Sequence, residues 1–187
     1  MRKYELERTT RETKIKLKLN LDGKGRFIGD FPIPYWKHLL ETLIFYASFD
    51  LEMKAEGDID VDFHHLVEDV GLCLGTAFYN IIYKYNFKRF SNKIVPMDDA
   101  LVMTSLDISR RPYLNFKDNS QYRTTEHELV KEFLRAFVNE SKITLHVIIL
   151  YGENIHHIQE AIFKSLGMAL KEACEISDTT TSTKGII

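Results

Sequence analysis

The chain has 187 residues, a length that suits one large domain or two small fused units. Hydrophobic residues make up 44% and the formal net charge is -2, so a substantial core is expected and nucleic acid is not an expected partner. The apolar runs are too short to span a bilayer, and the charged N-terminus lacks the apolar segment of a signal peptide. Composition therefore predicts a soluble, globular, cytoplasmic protein, with Cys73 and Cys174 as buried thiols because each lies in an apolar helical pattern.

Strand and helix patterns alternate through the first half of the chain. Residues 13–21 (TKIKLKLNL) switch strictly between apolar residues and lysine, which predicts a strand with one solvated face. A turn at DGKG follows. The other elements predicted for this half are a returning strand at 26–31, a helix at 32–47, strands at 49–55 and 58–63, and a helix at 64–83.

A polar stretch, residues 84–99, separates the halves, and the same order of elements then recurs. The predicted elements are strands at 100–109 and 111–117, a helix at 125–138, a strand at 142–151 and a helix at 156–173. We therefore predict an α+β fold built by internal duplication, each unit a roughly four-stranded sheet covered by two helices on one face. The predicted boundaries within one compact domain are 1–90, 91–176 and a tail at 177–187.

Two short clusters, HHLVE from His64 and HHIQE from His156, stand 92 positions apart and mark equivalent points of the duplication. In each, the first histidine and the glutamate are four residues apart, so both project from one helix face. Imidazole and carboxylate on one face form half of a divalent-metal site. The adjacent histidines, His65 and His157, point about 100° away and are free to ligate a second ion. The pattern therefore suggests two metals shared between the two copies.

Each polar residue also has a structural interpretation. A lone histidine beside apolar residues is usually a core or surface residue, which is how we interpret His127, one of the seven histidines. A single His-His-x-x-Glu cluster could equally be structural, but packing does not require the same ligand types twice. Imidazole and oxygen ligands admit Mn, Fe, Zn or Co, and the absence of cysteine from both clusters argues against a structural zinc site. The glycines of DGKGRFIG miss the spacing of a nucleotide-binding loop.

These motifs resemble the imidazoleglycerol-phosphate dehydratase family over nearly the whole chain. The matching segments include FDLEMKAEGDIDVDFHHLVEDVGLCLG, PMDDAL, SLDISRRPYL, GENIHHIQEAIFKSLGMAL and the terminal STKG. The resemblance implies a hydro-lyase of histidine biosynthesis that dehydrates imidazole glycerol phosphate to imidazole acetol phosphate. It also implies two Mn²⁺ ions per active site and a homo-oligomer of 24 subunits built from trimers, with sites formed between neighbouring chains.

The resemblance also assigns site residues. The metal ligands it implies are His38, His64, His65, Glu68, His146, His156, His157 and Glu160. The substrate-binding residues it implies are Glu12, Arg89, Asp107, Arg111, Lys164, Ser182 and Lys184. Of these, the basic residues and Ser182 would hold the phosphate. Glu12 is the implied proton-transferring carboxylate, and Glu68 and Glu160 would take part in catalysis as ligands.

Spacing suggests that one ion takes His64, Glu68 and a histidine of the second copy, and the other takes His156, Glu160 and a histidine of the first copy. The sequence departs from the family pattern at five positions outside the ligand set: Lys37, Tyr46, Phe63, Ser91 and Arg110.

Two other functions are compatible with the clusters. A non-catalytic metal-binding assembly protein would keep the ligands but lose the phosphate-binding residues, whereas all of the implied basic residues are present. A dinuclear metallohydrolase would use the same ligands, but it leaves the terminal STKG unexplained.

Overall fold

The computed structural model describes residues 2–120, 124–179 and 182–183, and contains two four-stranded sheets and four long helices in this part of the chain. The elements of the first half are β1 (Lys3–Thr9), β2 (Thr13–Asn20), β3 (Arg26–Asp30), α1 (Pro34–Ala47), β4 (Asp50–Gly57) and α2 (His64–Ile82). Those of the second half are β5 (Phe90–Met97), β6 (Ala100–Asp107), β7 (Tyr113–Asp118), α3 (Thr125–Ser141), β8 (Thr144–Tyr151) and α4 (Ile155–Ala173). None of the helices in the described ranges has the length and apolarity needed to cross a bilayer.

The two sheets have the same topology, which confirms the predicted duplication. The strand order is β1-β2-β4-β3 in the first sheet and β5-β6-β8-β7 in the second. In both, the first three strands of that order pair antiparallel, and the last strand pairs parallel to its neighbour.

Helices cover one face of each sheet and meet in the middle of the molecule. Helix α1 packs against α4 and α2 packs against α3, so each contact joins the two halves. Close approach is needed at these crossings: a Cβ on Gly71 would lie 2.7 Å from the carbonyl oxygen of Phe133, and one on Gly167 would lie 2.6 Å from that of Leu43. The side chains between the sheets form one continuous hydrophobic core. Cys73 and Cys174 are free and buried, as predicted.

Three sequence-based predictions of local structure were wrong. Residues 26–31 were expected to return antiparallel to the preceding strand, but β3 pairs parallel to β4. Residues 58–63 form turns rather than a strand, because aspartates there bond locally: Asp62 accepts a hydrogen bond from the backbone N–H of His64 at the start of α2. The stretch 84–99, expected to be a polar separator, contains the edge strand β5.

The outer faces of the two sheets differ in chemistry. Alternating charged residues cover the first, where Lys16 pairs with Glu5 and Lys18 pairs with Glu52. On the second, an apolar row runs across β5, β6 and β8 through Ile94, Met103 and Ile148, which lie opposite one another in the strand register. Ile94 is 59% exposed. We call this surface the apolar sheet face, and its exposure in a single chain is typical of a protein-contact surface.

Candidate metal centre and phosphate site

The contact between α1 and α4 brings together three ligand candidates from the two halves. His156 and Glu160 lie one turn apart on α4, and His38 faces them from α1. The Nε2 atoms of both histidines lie 2.9 Å from Oε1 of Glu160, and the two imidazole rings stack with their planes 1° apart. Within the described ranges, these residues form the one group of three whose candidate ligand atoms all lie within 4.8 Å of each other.

Glu160 is buried but ionised. Burial by itself would raise the pKa of its carboxyl group, but hydrogen bonds from Lys164 and His38 outweigh that effect and lower the pKa to about 2. The Lys164 ammonium lies 2.6 Å from Oε2 of Glu160 and 2.9 Å from the sulfur of Met97. Lys164, one of the implied phosphate-binding residues, therefore lies directly beside the cluster of His38, His156 and Glu160.

The equivalent cluster on α2 is looser. Nε2 of His64 lies 3.8 Å from Oε2 of Glu68, and both side chains are more than 40% exposed. The adjacent His65 directs Nδ1 towards Asp58, at 3.0 Å, and Glu12, at 3.9 Å. The hydrogen bond that the Asp58 carboxylate accepts from His65 raises the pKa of the His65 imidazole.

His157 on α4 is held in the same way as His65. Its Nδ1 lies within hydrogen-bond distance of Asp99, which also accepts hydrogen bonds from the backbone N–H groups of Glu153 and Asn154. These three donors hold the pKa of the Asp99 carboxyl group well below its usual range, with the hydrogen bond from His157 the largest contribution. A carboxylate on Nδ1 of a histidine fixes the ring and leaves Nε2 for a ligand.

Sequence reasoning missed the two carboxylates that orient these histidines, Asp58 and Asp99. The signal available was their position: Asp58 directly follows β4 and Asp99 directly precedes β6. Spacing along one helix, which identified His65 and His157, carries no information about partners that lie 7 and 58 residues away.

His146 lies away from the three-residue cluster, on the apolar sheet face. In the register of the second sheet it stands between Ser105 and Asn115, beside the row of Ile94, Met103 and Ile148. Its Nδ1 lies 3.2 Å from the side-chain amide of Asn115, and its ring lies 5.8 Å from that of Tyr113. Within the described residues of this chain, His146 is not part of a group that could hold a metal.

Two of the implied phosphate contacts lie together at the end of the second sheet. The guanidinium of Arg89 donates to both carboxylate oxygens of Asp107, at 2.7 and 3.1 Å, and stacks on the Phe90 ring at 4.5 Å. Arg111 lies 3.7 Å from the same carboxylate and is largely exposed. The group therefore carries more positive than negative charge, which suits a phosphate dianion. Ser182 lies in a short described segment outside any helix or strand, and Lys184 lies outside the described residues.

The departures from the family pattern have identifiable contacts at three positions. Ser91 donates to Glu172 at 2.8 Å. Arg110 has a left-handed backbone, with φ of 59°, and its guanidinium stacks on the ring of Tyr83 at 4.5 Å. The Lys37 ammonium lies 5.9 Å from the ring centre of Phe27. Phe63 directly precedes α2. Tyr46 lies in the last turn of α1, and its Cβ lies 2.9 Å from the position that a Cβ on Gly167 would occupy.

The donor set of His38, His156 and Glu160 fits a divalent metal. Two imidazole nitrogens and one carboxylate oxygen converge, and this combination suits Mn²⁺, Fe²⁺, Co²⁺ or Zn²⁺. Taken together, the duplicated α+β fold and the histidine–carboxylate cluster between its halves define the class: a duplicated two-sheet protein with a site suited to a divalent metal.

Comparison with known proteins identifies the family. The family model for imidazoleglycerol-phosphate dehydratase matches residues 32–170. A curated protein of that name from Dictyoglomus thermophilum is 58% identical over 187 residues, covering 100% of both chains. The crystal structure of IGPD from Pyrococcus furiosus in complex with (S)-C348 matches with a TM-score of 0.86 and 38% identity, covering 97% of this chain and 100% of that chain. The crystal structure of imidazoleglycerol-phosphate dehydratase from Staphylococcus aureus matches with a TM-score of 0.84 and 30% identity, covering 94% of this chain and 99% of that chain.

The chain therefore belongs to the imidazoleglycerol-phosphate dehydratase family, as the resemblance of its motifs predicted.

Proposed function

We propose that this protein is a metal-dependent hydro-lyase that converts imidazole glycerol phosphate to imidazole acetol phosphate in histidine biosynthesis, in the cytoplasm. Family membership over the full chain supports the reaction. The observation that carries the metal dependence is the convergence of His38, His156 and Glu160 within 4.8 Å.

The proposed cofactor is Mn²⁺, with two ions per active site. The residues that would hold them are His38, His64, His65, Glu68, His146, His156, His157 and Glu160. Such ions supply Lewis-acid polarisation of the substrate imidazole and a template that orients it. The protein's part is to present Nε2 of His65 and His157, with Nδ1 of each ring facing a carboxylate.

The remaining site residues would act on the substrate directly. Glu12 is the proposed proton carrier, because its carboxylate lies 3.9 Å from the His65 ring at the edge of the first cluster. Arg89, Arg111, Lys164, Ser182 and Lys184 would bind the phosphate. Asp107 would hold the Arg89 guanidinium in place through its two-pronged hydrogen bond. Phosphate binding far from the reacting carbon would hold the substrate in the site, in its ground state and its transition state alike.

Assembly would complete the site. His146 lies on the apolar sheet face, away from the other candidate ligands of its own chain. We infer that a neighbouring subunit covers this face, so that His146 serves a metal between chains. The family resemblance implies trimers assembled into 24 subunits, and the contrast between the charged first sheet and the apolar second sheet supports such packing. The repeat boundaries at 1–90 and 91–176, with a phosphate-binding tail at 177–187, remain predictions.

Turnover of imidazole glycerol phosphate by metal-stripped protein, with and without added Mn²⁺, tests the proposal. We expect activity only with metal, and about two ions per chain by elemental analysis of protein purified without chelator. Full activity in EDTA with near-zero metal would refute the proposal. A metal-loaded protein without turnover would instead indicate a binding or assembly function.

A further inference from the structure

Arg89 is held in a strained backbone turn. Its φ is 80°, in the left-handed region that residues other than glycine rarely adopt. The backbone N–H of Phe90 donates to the carbonyl of Lys88 at 3.0 Å, so Arg89 is the central residue of a three-residue turn. Such a turn persists only when surrounding contacts hold both of its ends.

One carboxylate, that of Glu172 in the last turn of α4, contacts both sides of this turn. Oε1 of Glu172 lies 2.5 Å from the ammonium of Lys88, the residue before Arg89. Oε2 accepts from the hydroxyl of Ser91, two residues after Arg89, at 2.8 Å, and also pairs with Lys93. The hydrogen bond from Lys88, followed by those from Lys93 and Ser91, lowers the pKa of Glu172 to about 2, so it is a full anion at neutral pH.

Backbone contacts fasten the same segment to the end of α4. The N–H of Arg89 donates to the carbonyl of Ala173 at 3.0 Å, and that of Lys88 donates to the carbonyl of Glu175 at 2.8 Å. These bonds fix the turn in position, while Glu172 fixes the side chains on either side of it. The guanidinium of Arg89 then pairs with the carboxylate of Asp107, and 13% of the Arg89 side chain is exposed.

We propose that Glu172 is a positioning residue for phosphate binding: by anchoring Lys88 and Ser91, it keeps the turn that directs Arg89 towards the substrate phosphate. Glu172 itself does not touch the substrate. This inference rests on the proposed function, in which Arg89 binds phosphate.

Steady-state kinetics of the Mn²⁺-loaded enzyme test the inference with Glu172→Gln and Glu172→Ala. A displaced guanidinium weakens binding of the phosphate without changing chemistry at the imidazole, so KM should rise roughly ten-fold and kcat should change less than about two-fold. The inhibition constant of inorganic phosphate, a probe that needs no turnover of its own, should rise by a similar factor. The matched control is Glu175→Gln, because Glu175 lies 3.8 Å from Lys88 and is largely exposed. It should leave all three constants unchanged.

A double variant separates positioning from general structural damage. If Glu172 acts through Arg89, then Glu172→Gln in an Arg89→Ala background should add little to the KM increase of Arg89→Ala alone. Unchanged KM and phosphate inhibition in both Glu172 variants, or additive effects in the double variant, would overturn the inference. If the wild-type protein fails to turn over the substrate, the proposed function fails. The positioning role is then tested by the rise in melting temperature that inorganic phosphate gives to the wild-type protein and to the Glu172 variants.

Discussion

Replacing Glu160 by glutamine should abolish most of the stabilisation that Mn²⁺ gives when it binds at the cluster of His38, His156 and Glu160. The carboxylate is the one anionic member of the cluster with His38 and His156, and its Oε1 lies 2.9 Å from both imidazole nitrogens. Glutamine keeps the size of the side chain but removes its charge. Because loss of a supporting residue typically weakens metal binding by about 10–100-fold, loss of the ligand itself should reach the upper end, about 100-fold.

The magnitude follows from mass action. With free Mn²⁺ at a hundred times the dissociation constant, one site stabilises the native state by about 2.7 kcal/mol. For a domain of this size that is a rise in melting temperature of about 5–11 °C. In Glu160→Gln the same concentration would only equal the dissociation constant, which leaves about 0.4 kcal/mol and a rise of about 1 °C.

Differential scanning fluorimetry of metal-stripped protein, titrated with Mn²⁺, measures these shifts. Each variant is compared with its own metal-free melting temperature, because Glu160→Gln also removes the partner of Lys164. The control is Glu175→Gln, which should behave as the wild type because the Glu175 carboxylate is exposed and lies just beyond α4. A full wild-type shift in Glu160→Gln would refute the assignment of Glu160 as a ligand.

Three further outcomes are expected. Mild acid should release the metal and inactivate the enzyme, because a histidine must be neutral to bind metal and the ordinary pKa of imidazole is about 6.5. Activity should return when Mn²⁺ is added at neutral pH. Acid inactivation with both ions retained would contradict this. Metal-free protein should lose stability as the pH falls from about 4.3 towards 2. The ion pairs of Glu172 lower the pKa of its carboxyl group to about 2 in the folded protein, whereas the pKa in the unfolded chain is about 4.3. The stabilisation by these ion pairs is therefore full above the unfolded-state pKa and is lost as the pH falls through the folded-state pKa. Melting temperatures of Glu172→Gln should fall less steeply over that interval, and an identical slope would count against the ion pairs. Gly71→Ala should destabilise the protein by about 1–3 kcal/mol, since its Cβ would lie 2.7 Å from the carbonyl oxygen of Phe133 and 2.9 Å from Cβ of Ala136; an unchanged melting temperature would show that the α2–α3 crossing can relax.

The elements with strong internal periodicity were predictable from the sequence alone. Strand β2 alternates lysine with buried aliphatic residues, and α2 and α4 carry helical spacing over 19 residues each. Both patterns are local, because they depend only on which face of an element is buried. The repeated His-His-x-x-Glu clusters were visible for the same reason, and with them the duplication.

Two of the four edge strands, β1 and β5, were not visible from the sequence, because their patterns are weak. Strand β5 carries Pro96 and several polar residues, and β1 carries charges along most of its length. Edge strands often have such residues, which discourage pairing with other chains. The parallel pairing of β3 with β4 also escaped prediction, since a turn after β2 suggests a hairpin unless the position of the intervening helix is known.

The site itself was decided by tertiary structure. His38 and Glu160 are 122 residues apart, and they meet because α1 packs across α4. The contact of Asp99 with His157, 58 residues away, and the contact of Glu172 with both sides of the Arg89 turn depend on the same kind of long-range packing. Asp58 is seven residues from His65 and contacts it across the connection between β4 and α2. The sequence by itself determined which residue types were available and how each lay on its own element. Only the packing of the two halves determined which of them share a site, because side chains distant in sequence are brought together by burial of the helix faces between the sheets.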